Sequence, residues 1–183
     1  MPRTLVLGGA RSGKSGRAEA LVADEPSVRY VATGRRDARD AEWADRIERH
    51  RDRRPAHWTT VEIGHHRDLV TTLRTGGVTL VDDLGTWLAG AFDDLNAWEA
   101  PRGTVTAAAD DLVAAVADRS DTLVMVTPEV GMSVVPESRA GRLFRDEIGA
   151  LNARLAELCD RVELVVAGRS LVLPDPDHGR SPR

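Results

Sequence analysis

The eight residues GGARSGKS, from Gly8 to Ser15, constrain this chain more than any other stretch. They fit the pattern G-x-x-x-x-G-K-[ST] and directly follow the apolar run Leu5-Val6-Leu7. Strand, glycine loop and helix therefore come in the order that lets backbone N–H groups and a helix N-terminus converge on phosphate oxygens. Gly8, Gly9, Ala10, Arg11, Ser12 and Gly13 supply the wrapping backbone. Lys14 is expected to reach the β and γ phosphates, and the Ser15 hydroxyl to ligate Mg²⁺. The bland alternative is a glycine-rich turn with no ligand, and the flanking strand and helix argue against it. Of the 25 Lys and Arg residues, only Lys14 is a lysine. An arginine-biased sequence has kept one compact ammonium where such a loop needs a point charge rather than a planar fork.

The loop opens a longer alternation. TLVLGG, SVRYVATG, GGVTLVDDLG, DTLVMVTPEVG and RVELVVAG are separated by helix-length segments. Runs this apolar predict an α/β fold, a mostly parallel sheet with helices on both faces. WTTVEIG reads as a shorter edge strand. Between Ser138 and Cys159 the apolar positions Phe144, Ile148, Leu151, Leu155 and Leu158 step by four, three, four and three, which predicts an amphipathic helix on the sheet. Residues 93–103 are the least regular. A chain of 183 residues suits one catalytic domain over 1–173, and the tail PDPDHGRSPR, 174–183, reads as disordered. A net charge of −4 argues against a general nucleic-acid binder. No apolar run is long enough to span a membrane, and the first strand leads straight into the phosphate loop with no signal peptide, so a cytoplasmic location is expected. Cys159 is the only cysteine, which excludes an intrachain disulfide or a cysteine zinc site, and it reads as packing.

Four stretches carry possible chemistry. TLVDD ends in Asp82 and Asp83, and an acid at the tip of a core strand beside the phosphate-loop strand is the usual second anchor of Mg²⁺. Either residue could instead cap the helix that GTWLAGAF begins. In Asp40–Glu62, Trp43, Ile47 and His50 share a helical face, arginines 46, 49, 51, 53 and 54 crowd around them, and Pro55 ends the helix. A histidine among phosphate-binding arginines is a reasonable nucleophile for phosphorus, although a packed histidine on a solvated helix fits the same pattern. His57, His65 and His66 offer no metal-ligand spacing, and His65-His66 reads as the exposed start of the helix HHRDLVTTLR. TPEVGMSVVPESRAGRLFRD follows a core strand, where α/β sheets bind ligands.

Together these pieces resemble the bifunctional adenosylcobinamide kinase and adenosylcobinamide-phosphate guanylyltransferase family. The resemblance rests on GGARSGKS; on YVATG followed by D-x-E-x-x-x-R-I-x-x-H-R-x-x-R-P-x-x-W; on LVDDLGTWL; on EVGMSVVPESRAGRLFRD; and on LNARLAE leading into LVVAG. It implies a RecA-like P-loop NTPase domain, usually a homotrimer, in which one nucleotide site serves two reactions. The first phosphorylates the corrinoid substrate adenosylcobinamide with ATP or GTP. In the second, GTP yields pyrophosphate and a GMP-histidine that is attacked by adenosylcobinamide phosphate. The family's histidine falls on His50. Arg53, Arg54, Pro55 and Ala56, with Glu62 and Asp82, match positions around the bound guanine nucleotide, and the resemblance favours Asp82 over Asp83 as the metal anchor. Gly34, Arg35 and Arg36 match another nucleotide-contacting stretch, in a segment about two residues longer here. Two rival readings remain open on sequence: a plain small-molecule P-loop kinase, and a RecA-like NTPase module acting on a protein partner.

Overall fold

Strands form where the apolar runs are bracketed by glycine, proline or charge, and each parallel strand needs a helix to bring the chain back. The computed structural model describes residues 3–35 and 54–174. Arg36, Trp43, Ile47, His50, Arg53 and the tail from 175 lie outside the described residues. The elements are β1 (Arg3–Gly8), α1 (Lys14–Leu21), β2 (Arg29–Ala32), β3 (Thr59–Glu62), α2 (His66–Leu73) and β4 (Thr79–Asp82), followed by α3 (Leu84–Asp94), α4 (Thr106–Ala117), β5 (Leu123–Pro128), α5 (Arg139–Leu158), β6 (Arg161–Val166) and β7 (Arg169–Leu173). All seven strands join one sheet in the order β3-β2-β4-β5-β1-β6-β7. Every pair is parallel except β6 with β7.

The order corrects one expectation. The strand bearing Asp82 is not beside the phosphate-loop strand, because β5 lies between β4 and β1. The edge position of β3 agrees with the reading of WTTVEIG. β7 was not foreseen: it turns back from β6 through Ala167 (φ 49°) and Gly168 (φ 76°), a two-residue turn with both residues left-handed.

Alternation along the strands sorts the core into two layers. Leu5, Leu7, Val31, Val81, Leu123 and Met125 face α2, α3, α4 and α5. Val6, Tyr30, Leu80, Val124 and Val126 face Ala18 of α1 and the indole of Trp58. Helices thus cover both faces, unequally among the described residues. α5 starts at Ser138, whose Oγ accepts a hydrogen bond from the Gly141 amide at 3.1 Å. Its stripe of Leu143, Ile148, Leu151 and Leu155 is buried. So is Asn152, which accepts from Thr127 Oγ1 at 2.6 Å and donates to the Pro128 carbonyl at 3.1 Å, pinning α5 to the end of β5.

Candidate active site

β1 delivers the chain to Gly8, and from there the loop geometry depends on two glycines. A Cβ at Gly8 would lie 2.8 Å from the Val165 carbonyl oxygen and 2.4 Å from Ser12 Oγ, and the backbone of β6 cannot yield as a side chain could, so only hydrogen fits. Gly13 has φ 96°, the left-handed region, where it caps α1. Arg11 also has positive φ (56°), a conformation rare for a residue with a side chain and concentrated at functional sites. Ser12 Oγ is buried without a hydrogen-bond partner among the described residues. The β6–β7 turn braces the loop from outside, with the Gly168 amide donating to the Ser12 carbonyl at 2.8 Å. Behind it, Arg17 of α1 makes a two-pronged ion pair with Glu163 of β6 at 2.7 and 2.9 Å. Arg161 adds a contact at 2.6 Å, and this surrounding charge pulls the fully buried Glu163 carboxyl down to about 2, the Arg17 hydrogen bonds being the largest cause.

Lys14 is buried and makes none of the described hydrogen bonds or ion pairs. Next to it, Ser15 Oγ donates to Asp82 Oδ1 at 3.2 Å. Asp82 is on the α1 face, as Leu80 is, and Tyr30 from the neighbouring strand donates its hydroxyl to Asp82 Oδ2 at 2.5 Å. Asp83, joined to Asp82 by a cis peptide bond, turns instead to cap α3, its Oδ1 accepting from the Thr86 amide at 2.8 Å. Burial pushes the Asp83 carboxyl up, with the Asp82 charge as the next cause. A hydroxyl and a carboxylate converging at the N-terminus of α1 form a hard-oxygen donor pair suited to Mg²⁺.

The row beside Asp82 collects the other sequence-picked positions. Ala32 is opposite both Glu62 and Asp82, so these two acids end the strands that flank β2, on one face of the sheet, and Gly34 follows two residues beyond Ala32. Arg54 precedes β3 with its guanidinium 3.7 Å above the centre of the Tyr30 ring, and Trp58 stacks on the same ring at 6.3 Å. Arg54 Nη1 donates to Thr60 at 3.2 Å while its Nε is buried without a hydrogen-bond partner among the described residues. Pro55 and Ala56 are exposed in the connection to β3. Tyr30 is fully buried, and burial followed by the Asp82 charge raises its phenol far above the usual range. The YVATG stretch contains Tyr30, but nothing in that pattern assigns its hydroxyl a role.

Arg35 grips Asp94, at the end of α3, through both guanidinium nitrogens at 2.8 and 2.6 Å. Here the histidine reading needs correction: His65 is exposed, but His66 is 6% exposed. Its amide and its Nδ1 both reach Asp94 Oδ2 at 2.9 Å, which turns the ring inward. His65, His66 and Asp94 bring three potential ligand atoms within 4.8 Å of one another. Two facts argue against a metal there. Asp94 Oδ2 already takes donors from Arg35 and twice from His66, which leaves it little lone-pair capacity for an ion. His65 Nδ1 accepts from the Arg67 amide, so its proton sits on Nε2, the nitrogen facing Asp94. The cluster is a latch joining the end of β2 to α2 and α3. Cys159 packs against the larger core layer, and burial pushes its thiol up to about 12.

Among the described residues no helix is long and apolar enough to cross a membrane. The family model for cobinamide kinase / cobinamide phosphate guanyltransferase matches residues 4–173. The bifunctional adenosylcobalamin biosynthesis protein CobU of Salmonella typhimurium is 43% identical over 176 residues, covering 90% of this chain and 95% of that protein. The CobP protein of Pseudomonas aeruginosa, with the same description, is 39% identical over 97% of this chain and 98% of its own length. Among solved structures, a prototypical ATPase from the type III secretion system of pathogenic bacteria superposes with a TM-score of 0.55 at 11% identity. It covers 97% of this chain and 60% of that one, a likeness of fold alone, which is that of the RecA-like P-loop ATPases.

Proposed function

The chain belongs to the cobinamide kinase / cobinamide phosphate guanyltransferase family, a bifunctional enzyme family of cobalamin biosynthesis, and on that premise we propose how its residues divide the two reactions. In this reading the substrates are adenosylcobinamide and its phosphate, with ATP or GTP as phosphoryl donor and GTP as guanylyl donor. The observation that carries it is the convergence of buried Lys14, which makes none of the described hydrogen bonds or ion pairs, with the Ser15–Asp82 pair at the N-terminus of α1.

For the kinase step the loop backbone from Gly8 to Gly13 cradles the β-phosphate, and Lys14 neutralises charge that builds on the γ-phosphoryl oxygens. Ser15 and Asp82 would hold Mg²⁺, which when bound screens the β and γ oxygens. The terminal hydroxyl of adenosylcobinamide attacks the γ-phosphorus, the bond to the β–γ bridging oxygen breaks, and the hydroxyl proton leaves to solvent or base. For the second step a neutral imidazole nitrogen of His50 attacks the α-phosphorus of GTP, and the α–β bridging bond breaks to release pyrophosphate. A phosphate oxygen of adenosylcobinamide phosphate then attacks the same phosphorus, the N–P bond breaks, and adenosylcobinamide-GDP forms. Gly34, Arg35, Arg36, Arg53, Arg54, Pro55, Ala56 and Glu62 line the nucleotide in this reading. The enzyme acts as a cytoplasmic homotrimer, which sedimentation equilibrium tests directly.

The position of the label in the triphosphate tests the covalent step. GTP labelled at the α-phosphate should leave acid-labile, base-stable label on the protein without corrinoid, and γ-labelled GTP should leave none. His50→Ala should abolish that label while phosphorylation of adenosylcobinamide persists. A protein that takes no α-label yet phosphorylates its substrate is a plain kinase, and the guanylyl-transfer reading fails.

A further inference from the structure

Tyr30 is the only tyrosine in the chain, is 1% exposed, and touches two parts of the site at once. β2 and β4 pair with Ala32 opposite Asp82, so Tyr30 starts two residues below the acid on the same face. Its phenol is long enough to climb that distance, and the hydroxyl donates to Asp82 Oδ2 at 2.5 Å. The other carboxylate oxygen, Oδ1, is thereby turned to Ser15. The Arg54 guanidinium lies over the same ring at 3.7 Å and the Trp58 indole stacks against it with centroids 6.3 Å apart, so the ring is packed as well as buried. Removing the phenol takes from the Asp82 carboxylate its 2.5 Å hydrogen bond on Oδ2, one of the contacts that set the plane of the group.

We propose that Tyr30 is a positioning residue for the metal site: its hydroxyl orients Asp82 so that Oδ1, beside Ser15 Oγ, presents to the Mg²⁺ that accompanies the nucleotide. This rests on Asp82 being the metal anchor in the function proposed above. Arg54, four residues beyond His50 in the chain, leans on that same ring. Tyr30 therefore joins the segment of guanylyl transfer to the anchor used in phosphoryl transfer, and loss of its hydroxyl weakens metal use in both reactions. A hydrogen-bond partner that orients a metal-binding carboxylate is commonly worth about 10-fold or more in metal affinity.

Tyr30→Phe removes the hydroxyl and keeps the ring under Arg54 and Trp58. Mn²⁺ affinity of the full-length protein, saturated with a non-hydrolysable GTP analogue and read by electron paramagnetic resonance, should fall about 10-fold. Binding of the analogue in EDTA should be unchanged, a split that a general loosening of the fold would not produce. Asp82→Asn in parallel should weaken Mn²⁺ at least as much. If Asp82→Asn weakens Mn²⁺ and Tyr30→Phe stays within two-fold of wild type, the positioning role is wrong while the anchor stands. If neither variant matters, the anchor assignment fails and the inference falls with it. A measurement on the wild type covers the case of a poorly folding variant. Tyrosine labelled with ¹³C at Cζ gives one NMR resonance, which should move when Mg²⁺ is added to the analogue complex and stay put in Asp82→Asn. A wild-type resonance blind to Mg²⁺ overturns the proposal.

Discussion

Replacing Glu163 with glutamine tests whether the brace behind the phosphate loop is electrostatic. Glu163 is fully buried on β6 and takes Arg17 through both oxygens, with Arg161 on one of them. Its carboxyl lies at about 2 in the folded protein against an ordinary 4.5, so the folded state binds this proton more weakly than the unfolded chain. A depressed carboxylate stabilises fully above its unfolded value and loses that contribution as pH falls through the folded one, here between about pH 5 and pH 2. That difference corresponds to roughly 3 kcal/mol at neutral pH. The arginine side chains remain 32% and 43% exposed, and their hydration trims the figure towards about 2 kcal/mol. Urea unfolding followed by tryptophan fluorescence should find Glu163→Gln less stable than wild type by about 2 kcal/mol at pH 7, and by about half that at pH 3, where the unfolded carboxyl is already protonated. A gap that is the same at pH 7 and pH 3 would refute the electrostatic account and leave packing as the cause.

Lys14→Arg should impair both half-reactions nearly as much as Lys14→Ala, because a buried point charge is replaced by a wider planar fork; kcat for each reaction measured separately checks this. Asp82→Asn and Asp83→Ala should separate cleanly. The first should raise the Mg²⁺ requirement of turnover with little change in the melting curve, whereas the second should cost about 1 kcal/mol of stability through the lost cap on α3 and leave the Mg²⁺ titration midpoint in place.

What the sequence made legible was what short-range rules govern. The phosphate loop could be read because its demands fall within eight residues: no room for a Cβ at Gly8, a left-handed Gly13, and a lysine and serine opening α1. The central strands could be read because burial on both faces leaves continuous apolar runs, and α5 because its stripe repeats at the helical period. β7 escaped because all five of its residues are exposed and its turn is Ala167-Gly168 rather than the Asn-Gly or Asp-Gly that marks such hairpins. His66 was misread for a different reason. The local pattern puts it at the surface, and the residue that turns it inward, Asp94, comes 28 positions later.

Asp82 and Asp83 mark the boundary between the two kinds of information. Adjacent strand residues point to opposite faces, so the sequence alone could say that one of them faces the loop, but not which. The choice is made by the partners each side chain meets. Asp82 shares its face with α1, meeting Ser15 from 67 residues away and Tyr30 from 52, while Asp83 meets Thr86 only three residues on. A helix cap is a local contract, and the sequence could suggest it for either residue. A metal anchor oriented by a tyrosine two residues lower on the neighbouring strand is written only in the pairing of β2 with β4, because no pattern within either strand requires the other's register. The same logic explains why Tyr30, the first residue of YVATG and buried in an apolar layer, reads only as a strand residue until that pairing puts its hydroxyl against Asp82.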